Sequence, residues 1–281
     1  MSLRFASINS GSNGNCYYVG NDQDAILVDA GISCREIERR MQRLGLSLQS
    51  VRAIFISHEH SDHIRGLPTL LKKFRIPLYI TAATLRGSGM YLYEDLLRDF
   101  SGLEEVRIGS LRVRPFSKIH DAADPYSFTV SCGAATVGVF TDLGRACPNL
   151  VSHFSQCHAA ILEANYDEEM LEKGNYPWHL KRRIRGGQGH ISNREALEVF
   201  RAHRPAHLRH LVLGHLSQNN NHPELVSALF EPHMNGVQLT VASRYEESAL
   251  FEVSADGVFG PAHHTAPAPA QLQLFDGGET A

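Results

Sequence analysis

His58-Glu59-His60-Ser61-Asp62-His63 sets four metal-binding side chains into six consecutive residues. It begins as an apolar run, residues 51–57, ends. A helix is expected at about residues 66–74, so the four side chains fall in a strand-to-helix loop. Imidazole and carboxylate donors suit zinc or another divalent first-row metal. Four such groups so close in sequence do not converge easily on one ion with good geometry. Two neighbouring ions, one served by His58 and His60 and the other by Asp62 and His63, fit better. The bland alternative is a solvated loop that is merely rich in histidine, and the tight spacing argues against it.

On the N-terminal side, β-rich runs are expected at residues 3–9, 16–19 and 25–29. The polar Ser10-Gly11-Ser12-Asn13-Gly14-Asn15 between the first two reads as a turn, because Gly and Asn tolerate positive φ. A helix over residues 33–44 follows, with Ile37, Met41 and Leu44 on one face and Gly45 closing it. On the C-terminal side, strands are expected at residues 77–81, 111–117, 128–132, 135–141, 159–164, 211–214, 237–242 and 250–253. One helix opens with the capping box Ser192/Glu195 and carries Ala196, Leu197 and Phe200 on its apolar face, and another opens at Pro223. This alternation predicts two packed sheets covered by helices: an α/β chain of the α+β type, folded as a four-layer αββα sandwich. The domain is placed at residues 1–260. Residues 261–281, opening with a Pro/Ala-rich stretch without periodicity, are expected to form a flexible tail.

At 281 residues the chain is long enough to bury a substantial core, and 20% charged residues is ordinary for a globular protein. A net charge of −3 argues against nucleic-acid binding through the overall field, but leaves room for a local basic groove. Five scattered cysteines without CxxC spacing suit reduced thiols, and no segment approaches the length of a membrane span. The expectation is a soluble, cytoplasmic protein with no membrane partner.

HxHxDH resembles the metal motif of the metallo-β-lactamase superfamily, and further pieces of that pattern occur in order. By this resemblance His120 is the third ligand of the first site, Asp142 in Phe140-Thr141-Asp142-Leu143-Gly144 bridges both ions, and His215 is the last ligand of the second. The resemblance thus implies two divalent ions per chain, Zn²⁺ or Mn²⁺, held by His58, His60, Asp62, His63, His120, Asp142 and His215. Leu162-Glu163-Ala164-Asn165 and Gly189-His190-Ile191-Ser192 are similar to two motifs of RNase Z-like nucleases. They imply that Glu163 orients His190 and that His190 contacts or protonates the phosphate leaving group. Asp62, Glu163 and His190 are the expected catalytic residues. A strand end and a helix cap are the plain alternatives for Glu163 and His190.

The opening Ser10–Asn15 stretch, Val28-Asp29-Ala30-Gly31, Thr141-Asp142-Leu143-Gly144 and Gly214-His215-Leu216-Ser217-Gln218-Asn219-Asn220 together resemble the bacterial YycJ/WalJ branch of that superfamily. That likeness implies an exonuclease on single-stranded or duplex DNA, 5′→3′, in DNA repair or genome maintenance; the residues themselves leave RNA open as the alternative nucleic acid. Residues 143–160 are too short for the large β-CASP insertion of RNase J-type enzymes. Before His190, the stretch from Tyr176 to Gly187 carries Lys181, Arg182, Arg183 and Arg185 with Tyr176 and Trp178, residues suited to binding phosphates and stacking bases. A solvated basic loop is the alternative. Hydrolysis of a small ester, thioester, lactone or cyclic nucleotide on the same fold is the competing activity. A catalytically silent metal-binding scaffold is disfavoured by the complete ligand set.

Gln271-Leu272-Gln273-Leu274-Phe275 resembles the QLxLF pentapeptide with which bacterial proteins dock on the DNA polymerase β sliding clamp. Leu274 and Phe275 would fill an apolar pocket, while Gln271 bonds at its rim and Leu272 adds apolar contact. Pull-down with the clamp is therefore expected to lose its signal when Leu274→Ala and Phe275→Ala are combined. Capture unaffected by that pair removes the docking idea.

Overall fold

The computed structural model describes residues 1–102, 104–256 and 259–261. The chain opens with β1 (Ser2–Asn9), β2 (Cys16–Gly20) and β3 (Ala25–Val28), an antiparallel meander. Helix α1 (Cys34–Arg43) then crosses to β4 (Val51–Phe55), which pairs parallel with β3. After the short α2 (Ser61–Ile64) and α3 (Leu67–Phe74) come β5 (Leu78–Tyr79), α4 (Ala82–Ser88) and β6 (Leu97–Arg98), and the pairing stays parallel.

A second sheet repeats this plan. Strands β7 (Val106–Ile108), β8 (Leu111–Ser117), β9 (Tyr126–Cys132) and β10 (Ala135–Phe140) are antiparallel neighbours. After α5 (Pro148–Phe154) comes β11 (Ala159–Glu163), which lies parallel to β10. Helices α6 (Glu168–Lys173), α7 (Trp178–Arg185) and α8 (Asn193–His203) lead to β12 (His210–Gly214), and α9 (Pro223–Phe230) leads to β13 (Gln238–Val241). The chain then returns to the first sheet as β14 (Phe251–Ser254) and β15 (Phe259–Pro261), beside β1.

Three buried apolar clusters mark the three seams of four layers. Phe5, Tyr17, Phe55, Phe128, Val137, Ile161 and Val212 meet between the sheets. Ile37, Met41, Ile54, Leu67 and Leu71 join the first sheet to α1 and α3. Leu150, Phe154, Leu162, Leu197, Phe200 and Phe230 join the second sheet to α5, α8 and α9. β4 shows how one strand serves two seams: Ala53 and Phe55 face the other sheet while Ile54 faces the helices, as the two-residue side-chain period of a strand requires. The αββα expectation holds.

Local signals act as their chemistry dictates. Ser33 accepts the Glu36 amide to start α1, and Gly45 follows that helix with φ 69°. The Ser192/Glu195 capping box starts α8. The stretch before His190, to which the sequence reading assigns no element and for which a solvated basic loop is the alternative, is regular. It is a helix, α7, whose Ile184 and Leu180 pack with Tyr166 and Leu171, a tertiary contact with no counterpart in local sequence. Pro261 ends β15 opposite Phe251, one residue past the expected domain boundary, on an edge strand where proline is tolerated. Residues 262–281, with Gln271, Leu272, Leu274 and Phe275, lie outside the described residues.

At the start of β12, His210 sits buried against Phe5 and Phe251, its Nε2 2.8 Å from Thr240 Oγ1. Burial pushes its pKa from 6.5 down to about 3. Below about pH 6.5 the unfolded chain takes up a proton that the folded chain refuses. This contribution to stability is therefore complete above that pH and is lost as pH falls toward about 3, at up to about 1.4 kcal/mol per pH unit. His210→Gln should flatten the slope of unfolding free energy against pH, measured by urea denaturation between about pH 6 and 4, by close to one proton. An unchanged slope would show that His210 does not carry this dependence.

Candidate metal centre

Parallel strands deliver their C-terminal ends to one edge of each sheet, and the two edges face each other across the top of the sandwich. β3 runs into Asp29, β4 into Ser57 and His58, β10 into Asp142 and β12 into His215, and β11 ends at Glu163. Asp29, Asp142 and His215 all have φ between 55° and 62°. For non-glycine residues this left-handed turn costs on the order of 1–2 kcal/mol each, and here it turns each side chain back toward the centre. The His58–His63 loop is drawn close by Gly31: a Cβ there would lie 1.6 Å from the Asp62 carbonyl oxygen. Asn15 N–H donates to that oxygen and Ala30 N–H to the carbonyl of His63.

Three imidazoles form the first group. His58 Nε2 lies 3.1 Å from His60 Nδ1, which lies 3.4 Å from His120 Nε2. His120 Nδ1 donates to the Gly189 carbonyl at 2.9 Å, which fixes the tautomer and leaves Nε2 with its lone pair toward the group. Asp62, His63 and His215 form the second, with ligand atoms all within 4.8 Å of one another. His63 Nδ1 donates to Asp29 at 2.7 Å and His215 Nδ1 to Glu163 at 2.8 Å, so each ring turns Nε2 inward. Asp142 lies between the groups, Oδ1 3.8 Å from His120 Nε2 and Oδ2 3.1 Å from His63 Nε2.

Asp142 Oδ2 and His215 Nε2 are buried without a hydrogen-bond partner. Unsatisfied buried groups are rare, and here they sit among converging lone pairs. Cations among these atoms would satisfy them, and the imidazole–carboxylate donor set fits zinc or manganese. The electrostatics agree. Burial holds His58 well below its ordinary pKa and brings His120 down to about 4. Burial acts the same way on His63 and His215, but Asp142 and neighbouring carboxylates outweigh it, raising His63 well up and His215 to about 10. Burial would raise Asp142, yet His215 and His63 hold it well below the usual carboxylate range.

The fold thus brings together all seven side chains expected as ligands. Glu163 lies beneath them and does more than expected. Its Oε1 accepts both His190 Nδ1 and His215 Nδ1 at 2.8 Å, and its Oε2 accepts the Leu143 amide. The basic stretch is the departure. Arg183 pairs with Asp121, Arg185 pairs with Glu172 and lies over the Trp178 ring, and Lys181 donates to the Glu172 carbonyl. Three of its four cations are engaged in holding α7 in place. Arg182 alone has no hydrogen bond or ion pair among the described residues, and it lines a cleft of about 410 Å³ with Trp178, Asp121 and Gln188.

Sequence reasoning assigned no role to Asp29, Asn15, Asp121 or Asn165. Asn15 Nδ2 donates to Asp62 at 3.2 Å, Asn165 Nδ2 donates to the His215 carbonyl, and Asp121 Oδ1 is buried without a partner 3.6 Å from His120 Nε2. Only Asp29 left a signal, a carboxylate closing an apolar strand just before Gly31.

A family model described as the metallo-beta-lactamase superfamily matches residues 10–281. The chain is 34% identical over 229 residues to Exodeoxyribonuclease YycJ of Bacillus anthracis, covering 80% of this chain and 86% of that protein. It is 29% identical over 228 residues to Exodeoxyribonuclease WalJ of Streptococcus pneumoniae, covering 79% and 85%. The metallo-beta-lactamase fold protein YhfI of Bacillus subtilis superposes with a TM-score of 0.68 at 16% identity, over 90% of this chain and 99% of that one, a likeness of fold alone.

The two groups should load differently with pH. A proton on His215, bound up to about pH 10, competes with a cation for Nε2, so affinity at the Asp62/His63/His215 group rises toward that pH and weakens as pH falls. His120, at about 4, and His58 present free lone pairs at neutral pH. Stepwise acidification with chelator competition should therefore release metal in two phases, the second group first. Simultaneous loss of both ions would contradict this order.

Proposed function

The chain belongs to the metallo-beta-lactamase superfamily, in the branch of YycJ and WalJ, and from that membership we propose that it is a two-metal DNA exonuclease, 5′→3′, acting in DNA repair or genome maintenance. It is a metal-dependent hydrolase by family. The nuclease reading rests on the names its relatives carry and on one observation: the His190–Glu163 pair beside the ligand cluster.

His58, His60 and His120 would hold one cation, Asp62, His63 and His215 the other, with Asp142 spanning both. Two such ions, zinc or manganese, supply a water of lowered pKa and neutralise charge on a phosphodiester. Glu163 is fully buried, and His190 and His215 keep it ionised against the effect of burial. It fixes the orientation of the His190 ring through Nδ1. Nε2 of His190, which is partly exposed, is then free to contact or protonate the leaving oxygen. By orienting His215 as well, Glu163 aligns a ligand and an acid with one carboxylate. Arg182 and Trp178 line the cleft that would take the neighbouring strand, with Lys181, Arg183 and Arg185 fastening the helix that carries them. Residues 1–260 are the catalytic domain in this reading. Residues 261–281 tether it to the sliding clamp in the cytoplasm through Gln271, Leu272, Leu274 and Phe275.

With Mn²⁺ or Zn²⁺ supplied, end-labelled single-stranded or duplex DNA should lose mononucleotides from its 5′ end faster than RNA is cut. No cleavage of any nucleic acid, alongside turnover of small esters, would overturn this reading. His190→Ala should keep both metals yet lose about 10²–10⁴-fold in turnover. Metal content falling in parallel would make His190 a structural member of the site.

A further inference from the structure

Beyond β13 the rim carries one more feature. Residues 241–245 wall a cavity of about 370 Å³ with Ser10, Ser217, Gln218 and Asn221. The cavity adjoins the metal centre through two links. Ser10, in its wall, accepts the His215 amide at 2.8 Å, and Leu216, also in its wall, is the next residue after His215. Along the second sheet the rim therefore runs from the turn after β13, which carries Arg244, through His215 and Glu163 to Asp142 in strand order, and Arg244 bonds the carbonyl of Leu216, the residue after His215.

Arg244 is half withdrawn from water, and burial lowers its pKa from the ordinary value. Nη1 donates to Gln218 Oε1 at 2.9 Å, and Nη2 donates to the Leu216 carbonyl at 2.9 Å and to Ser12 at 3.4 Å. Every partner is neutral. No carboxylate lies within ion-pair distance of it among the described residues. Arg183 and Arg185 near the other end of the site each have a carboxylate, so Arg244 differs from them in kind. A partly buried guanidinium without a counter-charge is costly unless an anion arrives.

The turn that presents it is held in advance. Arg40 donates to the Tyr245 carbonyl, Asn13 to the Arg244 carbonyl, Ser10 N–H to the Ser243 carbonyl, and Arg43 pairs with Glu247. Little ordering remains to be done on binding. Tyr245 next to it is 73% exposed, and its ring stacks on no other among the described residues.

We propose that Arg244 and Tyr245 form a subsite for the nucleotide next to the bond being cut, Arg244 taking its phosphate and Tyr245 stacking on its base. This rests on the nuclease reading and places the substrate strand across the rim, from the α7 cleft on the His120 side to Arg244 on the His215 side.

Steady-state cleavage of an end-labelled oligonucleotide, measured between about 50 and 200 mM salt, tests it. Arg244→Gln should raise KM about tenfold, with a smaller change in kcat. The dependence of log(kcat/KM) on log salt should become shallower by about one phosphate contact. Arg244→Lys keeps the charge and should restore the slope, though not the full affinity, because it lacks the bidentate fork. A role confined to bracing the loop would lower activity without changing the slope. Should Arg244→Gln fail to fold, Tyr245→Ala alters an exposed ring and should still raise KM severalfold at an unchanged melting temperature. Wild-type slope and KM in Arg244→Gln, or wild-type KM in Tyr245→Ala where only that variant folds, overturn the subsite and leave the nuclease reading standing. A wild-type protein that neither binds nor cuts the oligonucleotide overturns the nuclease reading itself.

Discussion

Asp142 is buried between two sets of imidazoles, one carboxylate oxygen toward His120 and the other toward His63. A buried carboxylate so surrounded is tolerable only with positive charge beside it, supplied by protons or by cations. His63 and His215 carry that charge as protons when no cation is present, which is why their pKa values rise against the effect of burial. The hydrogen bonds outside this centre serve to aim it: Asp29 on His63, Glu163 on His215 and His190, and the Gly189 carbonyl on His120. Each takes the outward ring nitrogen, so the inward one is left for the ligand role.

That aim is achieved at the cost of backbone strain. Three strand-ending residues, Asp29, Asp142 and His215, adopt left-handed φ values that side chains other than glycine avoid. Two closely packed sheets hold them there, through apolar seams that include Phe55, Phe128 and Val137 beneath the rim. Gly31 supplies the opposite concession, a missing Cβ that lets the ligand loop sit directly on the β3 end. Strain and close approach at the same edge are what a rigid sandwich can impose and an isolated loop cannot.

Charge at the rim is distributed differently from charge along the chain. The cluster at 181–185 stands out in sequence, yet in space two of its four cations are neutralised by Asp121 and Glu172, a third bonds the Glu172 carbonyl, and these three fasten α7. Arg244 is unremarked in sequence, between Ser243 and Tyr245, yet in space it is a half-buried cation with only neutral partners among the described residues, one of them the carbonyl next to His215. A cation's availability to substrate depends on which carboxylates reach it, and that is a property of folding.

Much was legible in the sequence. The period-two apolar runs, the capping residues Ser33 and Ser192 and the HxHxDH spacing sufficed for the αββα layers and the first four candidate ligands, because strand burial, helix starts and short-range ligand spacing are local effects. The remaining candidate ligands His120, Asp142 and His215 needed a family resemblance, since nothing local distinguishes a strand-end histidine that ligates from one that does not. Helix α7 escaped the local reading because its stability comes from Leu180 and Ile184 packing on Tyr166 and Leu171. The double use of Glu163, the buried partnership of Asp29 with His63 and the unpaired state of Arg244 were decided by tertiary structure alone. Each depends on residues 27 to more than 200 positions apart meeting at one edge, and no window along the chain contains both partners.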